Sequence, residues 1–372
     1  MMHSGIYIHI PFCVKRCYYC DFYSETLKSK HLIETYGKKV VAELKKRFLE
    51  LEQTKVVSLY VGGGTPSLMS ENFFENLLKS AEKLGLPLDK MEITVEVNPV
   101  DLSDKWLKNL RNSGVNRIST GIQAFDDSAL KEMGRRATVS QMKETLPLIN
   151  DNFENSSIDI IYGIGRKRNI GKELETLFKF IQPSHVSAYQ YLSPQKKNAP
   201  CELDEEESIV EEKEIEEFLN SKEILKYEVS NYAKKGKESV HNMLYWTFGS
   251  WLGIGAGAKS FNALKKEHSF YEENVENFIN GKSDSLSRYF PENSEVLMEF
   301  TMMGLRVLDG IKLSKFKEFF GKALYRLFDK TIICNLVENG LLSIDKSTIK
   351  ATDKGLDFLN STLITLFEGI KK

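Results

Sequence analysis

Cysteine is scarce, with five residues in a chain of 372. That excludes a small fold stapled by disulfides, and in a reducing cytosol a group of thiols reads as metal or redox chemistry. Long apolar runs are missing as well. No stretch approaches the roughly 20 residues of a membrane-crossing helix, and nothing ahead of Tyr7 has the pattern of a signal peptide, so a cytoplasmic protein without a transmembrane segment is expected. Neither charge is in surplus: Lys+Arg 51 against Asp+Glu 52 leaves a net charge of −1. A protein built mainly to grip a nucleic-acid backbone would show a strong basic excess, so no nucleic-acid partner is expected. Internal repeats and low-complexity tracts are absent too. What remains, 41% hydrophobic and 28% charged residues, is the make-up of an ordinary globular protein, long enough for more than one domain.

Three of the five cysteines fall within eight residues, in "YIHIPFCVKRCYYCDF" (Tyr7–Phe22). Cys13, Cys17 and Cys20 are too closely spaced to share one face of a continuous helix, but a loop can turn all three sulfurs inward around one object. A cubane iron–sulfur cluster fits, because three thiolates hold three irons and the fourth stays free for another ligand. Structural zinc would want a fourth protein ligand. His9 reads as a buried, hydrogen-bonded residue, and Cys201 and Cys334, far from the trio, as ordinary thiols.

Strand-like runs alternate with helix-period segments. The expected strands are Gly5–Ile10, Val56–Gly64, Glu92–Pro99, Arg117–Gln123, Ser157–Gly163 and His185–Leu192. Between the first two, Leu32, Tyr36, Val40, Leu44, Phe48 and Leu51 recur at helical spacing. Further helices are expected from a cap at Ser70 to Gly85 and from Ser103 to Gly114. Helical crossovers between strands predict a parallel sheet. The expected fold class is α/β, an open partial (β/α)6 barrel with a small C-terminal helical, winged-helix-like domain. The expected divisions are a core over 1–230, a barrel extension over 231–285 and the C-terminal domain over 286–372. The acidic stretch Cys201–Glu223 reads as a helix with a solvated face.

Reactive residues of such sheets gather at the carboxyl ends of strands, and polar residues stand there. "GGGTPS" (Gly62–Ser67) follows the second strand, where backbone without Cβ atoms lets a ligand approach the amide groups. Glu96 ends the third strand, Gln123 the fourth, Asp159 lies on the fifth, and Arg135 follows one helix after Gln123. Tyr7 precedes the cysteine loop.

Cys-x3-Cys-x2-Cys after a first strand, with a glycine strip after the second, resembles the radical S-adenosylmethionine (SAM) superfamily. The longer run "IYIHIPFC…CDF", "GGGTPS", "NRISTGIQAFDD", "GRRA", "DIIYG", "YEVSNYA" and "HNMLYW…WLGIGAGAKSF" is similar to the branch holding oxygen-independent coproporphyrinogen III oxidase and the HemW-type haem chaperones. The oxidase group carries a fourth cysteine two residues after the third, and a longer segment ahead of the cluster. Here Cys20-Asp21-Phe22 and a short lead-in fall on the chaperone side, as does "HNMLYW" (His241–Trp246).

The resemblance implies a [4Fe-4S] cluster on Cys13, Cys17 and Cys20, and SAM lined by Tyr7, Tyr19, Gly63, Gly64, Thr65, Glu96, Gln123, Arg135, Asp159 and Ile254. It implies haem as a further ligand, with His241 as candidate to its iron and Tyr245 and Trp246 stacking on the macrocycle. A reduced cluster would be able to cleave SAM to a 5′-deoxyadenosyl radical. No residue receives a catalytic role. Partners implied are haem-accepting proteins, including respiratory, membrane-bound ones, with peripheral membrane association and a homodimer both compatible. The alternative is the oxidase itself, an enzyme of porphyrin biosynthesis. The loops after Gly163 ("IGRKRN") and Leu192 ("SPQKKNAP") depart from the family pattern.

Overall fold

The computed structural model describes residues 2–194, 198–281 and 286–371. Gln195–Lys197 of the divergent loop after Leu192, and Ser285 at the expected domain boundary, lie outside the described residues. Six parallel strands form the centre: β1 (His3–Ile10), β2 (Lys55–Gly63), β3 (Glu92–Val97), β4 (Arg117–Gln123), β5 (Ser156–Tyr162) and β6 (His185–Gln190). Each expected strand is present within two residues at either end. The crossovers are α1 (Lys30–Arg47), α2 (Glu71–Lys83), α3 (Asp104–Ser113), the pair α4 (Asp127–Glu132) and α5 (Val139–Asn152), and α6 (Ile170–Leu177). Their ends follow local chemistry. Ser103 accepts the Trp106 N–H and Gly114 closes α3 in the left-handed region, which suits a residue without Cβ.

The sheet extends beyond the six expected strands to twelve. After α7 (Glu205–Asn220) come β7 (Leu225–Glu228) and β8 (Asn231–Ala233), added antiparallel beyond β6. After α8 (Val240–Trp246), β9 (Ser250–Ile254) pairs parallel with β1, and β10 (Lys259–Asn262), β11 (Glu267–Tyr271) and β12 (Leu286–Tyr289) continue antiparallel. The full order is β12-β11-β10-β9-β1-β2-β3-β4-β5-β6-β8-β7. The added strands are only three to five residues long, so their alternation is weak in sequence.

Two apolar cores form. One lies between the parallel sheet and its crossover helices, with Ile6, Ile8, Leu59, Ile93, Ile118 and Ile158 fully buried. The second joins Phe248 and Phe261 of the extension to Val296, Phe300, Phe316 and Phe328 of the C-terminal region. There α9 (Asn293–Leu305) and later helices pack on a three-stranded antiparallel sheet, β13 (Ile311–Lys312), β14 (Leu342–Ile344) and β15 (Thr348–Ala351).

The solvated reading of the acidic segment needs one correction. Glu211 on α7 is fully buried. Its carboxylate accepts the Gly163 and Arg168 N–H groups, both at 2.7 Å, and so fastens the divergent loop that follows β5. A carboxylate holding two backbone donors is satisfied without water.

Candidate functional site

One pocket of about 460 Å³ opens at the carboxyl ends of the six parallel strands. Cys13, Cys17 and Cys20 stand on one side, and Gly63, Gly64, Thr65, Glu96, Gln123, Arg135 and Asp159 on the others, with Tyr19 between. Residues from five strand ends and one loop thus converge on one cavity, within the size range of small-molecule sites.

The cysteine loop is pinned at three places. Phe12–Cys13 pairs with Glu25–Thr26, with the Leu27 N–H on the Cys13 carbonyl at 2.9 Å. The Tyr18 N–H donates to the Met133 carbonyl at 2.9 Å, which ties the loop to the end of α4. Polar groups already point at the sulfurs. Thr65 Oγ1 donates to Cys13 Sγ at 3.5 Å and Arg135 Nη1 to Cys17 Sγ at 3.7 Å. Among the described residues no three His, Cys, Asp or Glu side chains are grouped to hold a single metal ion. A tetrahedral ion with bonds of about 2.3 Å needs its sulfurs roughly 3.8 Å apart. A cubane spreads its three thiolates over three irons and needs no such contact. Donor set, loop and cavity fit a cubane with an organic ligand beside it.

The glycine strip is shaped by close approach. A Cβ on Gly64 would stand 2.7 Å from the Phe12 carbonyl oxygen, and Gly63 combines φ +112° with a Cβ position 2.6 Å from the His9 ring. Its N–H donates to Glu96 Oε2 at 3.0 Å, while the Tyr60 hydroxyl donates to Glu96 Oε1 at 2.8 Å. Burial lifts the Glu96 carboxyl to about 7, against the Tyr60 bond and with help from the neighbouring Asp159 charge. Asp159 is lifted by burial to about 6, against hydrogen bonding from Ser187 and the charges of Arg117 and Arg135. Two buried carboxyls poised near neutrality suit a cationic ligand, which would draw both into the ionised form.

Gln123 reaches the pocket through a break in the β4–β5 register, with φ +70°. Left-handed backbone at a non-glycine residue is uncommon, and here it turns the strand end inward. The Arg135 guanidinium donates to the Gly121 carbonyl, and its buried Nε has no partner.

Three expected residues stand elsewhere. Tyr7 lies behind the wall, its hydroxyl 2.9 Å from His9 Nδ1. His9 is buried and bonded at both nitrogens, as expected, with Nε2 3.0 Å from the Tyr23 carbonyl. Ile254 is fully buried at the end of β9, opposite Ile8, so its side chain packs in the core and does not line the pocket. His241 is 1% exposed. Its Nδ1 stands 2.8 Å from Ser58 Oγ and its Nε2 2.8 Å from the Tyr245 hydroxyl. Neither nitrogen is offered to a haem iron in this conformation, and burial and the Arg117 charge hold the ring neutral, with its pKa lowered to about 3.

The pocket also holds residues outside the expected set: Tyr60, Arg117, Ser119, Ser187, Tyr189 and Asn242. Strand alternation signals the first five. Tyr60 lies two before Gly62, Arg117 and Ser119 share the parity of Gln123, and Ser187 and Tyr189 alternate on β6. No such pattern marks Asn242, which comes from α8.

A radical SAM superfamily model matches residues 7–179, and a HemN C-terminal domain model matches residues 292–358. The chain is 33% identical to the heme chaperone HemW of Lactococcus lactis, over 96% of each chain. It is 29% identical to the heme chaperone HemW of Escherichia coli, over 96% of this chain and 97% of that one. Among solved structures, the coproporphyrinogen III oxidase HemN of Escherichia coli, a radical SAM enzyme, superposes with a TM-score of 0.81. That match covers 98% of this chain and 90% of HemN at 20% identity, a likeness of fold.

Proposed function

The chain belongs to the HemW family of radical SAM proteins, and from that premise we propose that it is a haem chaperone, which carries a [4Fe-4S] cluster and SAM, binds haem and delivers it to acceptor proteins. The observation that supports this reading most is the convergence of three cysteines, a glycine strip and two uncharged-prone carboxyls on one cavity.

Cys13, Cys17 and Cys20 would hold the cluster. Gly63, Gly64 and Thr65 would offer backbone to the methionine end of SAM, and Glu96, Gln123, Arg135 and Asp159 would line its remainder, with Tyr19 over the cluster loop. Bound together, a reduced cluster and SAM supply one-electron reductive chemistry at the sulfonium. This chain's residues position the two, exclude water and balance charge: Arg135 stands beside the thiolates, and Glu96 and Asp159 face the cation.

His241 is proposed as the haem ligand on the strength of its motif. Ligation through Nε2 requires the Tyr245 hydroxyl to leave that nitrogen, which it engages at 2.8 Å. Among the described residues no helix is long and apolar enough to cross a membrane, so contact with a membrane-bound acceptor would be peripheral.

The alternative activity shares the fold. Anaerobically reconstituted protein incubated with coproporphyrinogen III, SAM and a reductant is expected to give no protoporphyrinogen IX, and to give a Soret band when titrated with haem. Turnover, or the lack of any Soret band, overturns the chaperone reading.

A further inference from the structure

We infer that Asn242, the second residue of the His-Asn-x-x-Tyr-Trp helix, is a ligand-binding residue of the pocket, its carboxamide hydrogen bonding the nucleoside portion of SAM. The inference rests on the proposed SAM site. It adds a residue from an element that no expectation placed there.

The helix is held rigidly from below. The Val240 and His241 N–H groups donate to the Glu92 carboxylate at 3.1 and 3.0 Å, and the Asn242 N–H donates to Ser239 Oγ at 3.3 Å. The Ser58–His241–Tyr245 chain bolts the same turn to β2. Gly5 lets it lie directly on β1, because a Cβ there would stand 2.7 Å from Leu244 Cδ1 and 2.9 Å from His241 Nδ1. A side chain on such a support is preorganised, so a bond it makes to a ligand costs little ordering.

Asn242 lines the pocket beside Tyr60, Glu96, Arg117 and Asp159. The two carboxylates already have partners: Glu96 has Tyr60 and Gly63, and Asp159 has Ser187 and Ser119. The Asn242 carboxamide has none among the described residues. Arg117, also in the lining, is 2% exposed, and its Nε has only the Glu92 carboxylate at 3.9 Å, beyond hydrogen-bond reach. Asn242 is half-buried and opens on the cavity, so its carboxamide is free to bond a polar ligand held there. An amide both donates and accepts, as ribose hydroxyls and adenine edges require. The cluster loop and the glycine strip stand at the carboxyl ends of the strands and take the methionine portion, whereas α8 floors the pocket against Gly5 and Ser58, which leaves the nucleoside for Asn242.

The test is equilibrium binding of SAM and of 5′-methylthioadenosine, which lacks the amino-acid portion, to cluster-loaded full-length protein. Asn242→Ala is expected to weaken both about tenfold, the size of one good hydrogen bond, with thermal stability and iron content unchanged. Asn242→Asp keeps the shape while removing both donors, and serves if the alanine variant folds poorly. A dissociation constant within twofold of wild type for both ligands overturns the assignment. Weakening of SAM alone overturns the nucleoside contact. If wild type itself binds neither ligand, the proposed SAM site falls, a result distinct from either.

Discussion

Ser58 Oγ and His241 Nδ1 meet 2.8 Å apart across the interior of the sheet, and the same ring passes its other nitrogen to Tyr245 at 2.8 Å. A second Ser–His–Tyr chain stands alongside, Ser157–His185–Tyr227, at 2.8 and 2.9 Å. In both, burial is the main cause that lowers the imidazole pKa and Arg117 adds to it, so the rings act as neutral two-ended connectors. His241 also stacks on Tyr60, whose hydroxyl reaches Glu96. His241 is therefore joined to the pocket through one aromatic ring.

His241→Ala is expected to destabilise the protein by about 2–4 kcal/mol, combining a buried cavity with two stranded hydroxyls. Ser58→Ala should cost about 1 kcal/mol. In a double-mutant cycle by urea denaturation the two losses should fall short of additivity by at least about 0.5 kcal/mol. Full additivity would mean that the bolt carries no energy. The neutral ring has a consequence for acid stability. A histidine whose folded pKa lies below its unfolded value contributes stability that is complete above about pH 6.5 and declines as pH falls toward 3.

Tyr245→Phe removes the hydroxyl that competes for His241 Nε2. If haem iron takes that nitrogen, haem affinity measured by Soret titration should rise about fivefold, the worth of a net hydrogen bond of about 1 kcal/mol. Unchanged affinity in this variant, together with unchanged affinity in His241→Gln, would assign the iron to another ligand.

The parallel core was readable because each of its strands is a short β-branched or aromatic run closed by polar residues, with a capped amphipathic helix behind it. Gly63, Glu96 and Gln123 could be placed at strand ends for the same reason. Three features were not readable. "WLGIGAGAKSF" shows no strand alternation, yet Gly253 and Ile254 belong to a strand beside β1, because glycine carries no facial signal. Glu211 looks like its glutamate neighbours on α7, and only the loop after β5 distinguishes it. Asn242 has the helical neighbours of any turn, and its orientation is set by Glu92, Gly5 and Ser58, which lie far away in sequence on three different strands.

SAM affinity should depend on pH, and the sign follows from the two carboxyls. With Glu96 near 7 and Asp159 near 6, the ligand-free pocket holds protons at pH 5.5 that a cationic sulfonium must displace. The dissociation constant is expected to fall by about tenfold between pH 5.5 and 7.5 and then level off. Glu96→Gln should weaken binding at pH 7.5 and flatten the profile. The same raised pKa values make the ligand-free fold more stable below the unfolded carboxyl range, an increment lost as pH rises through 6 to 7, so saturating SAM should protect most at pH 7.5.

The residues proposed for the cluster and for the haem stand on separate elements, and loss of the two ligands should be separable. Cys13, Cys17 and Cys20 stand on a loop at the carboxyl ends of the strands, whereas His241 lies on α8 at the level of Gly5 and Ser58, nearer the strands' beginnings. Replacing all three cysteines by alanine removes every thiolate of the trio while leaving Glu92, Ser58, Gly5 and the helix they support untouched. The variant should lose the brown absorbance and the iron and sulfide of anaerobically prepared protein, and should still develop a Soret band on haem titration with an affinity within about threefold of wild type. Should Cys13→Ala alone abolish the Soret band, a thiolate of the loop would be the haem ligand, and α8 would serve only to floor the pocket. The two results differ by presence or absence of one absorbance band, since the cysteine loop and α8 are separate segments of the chain.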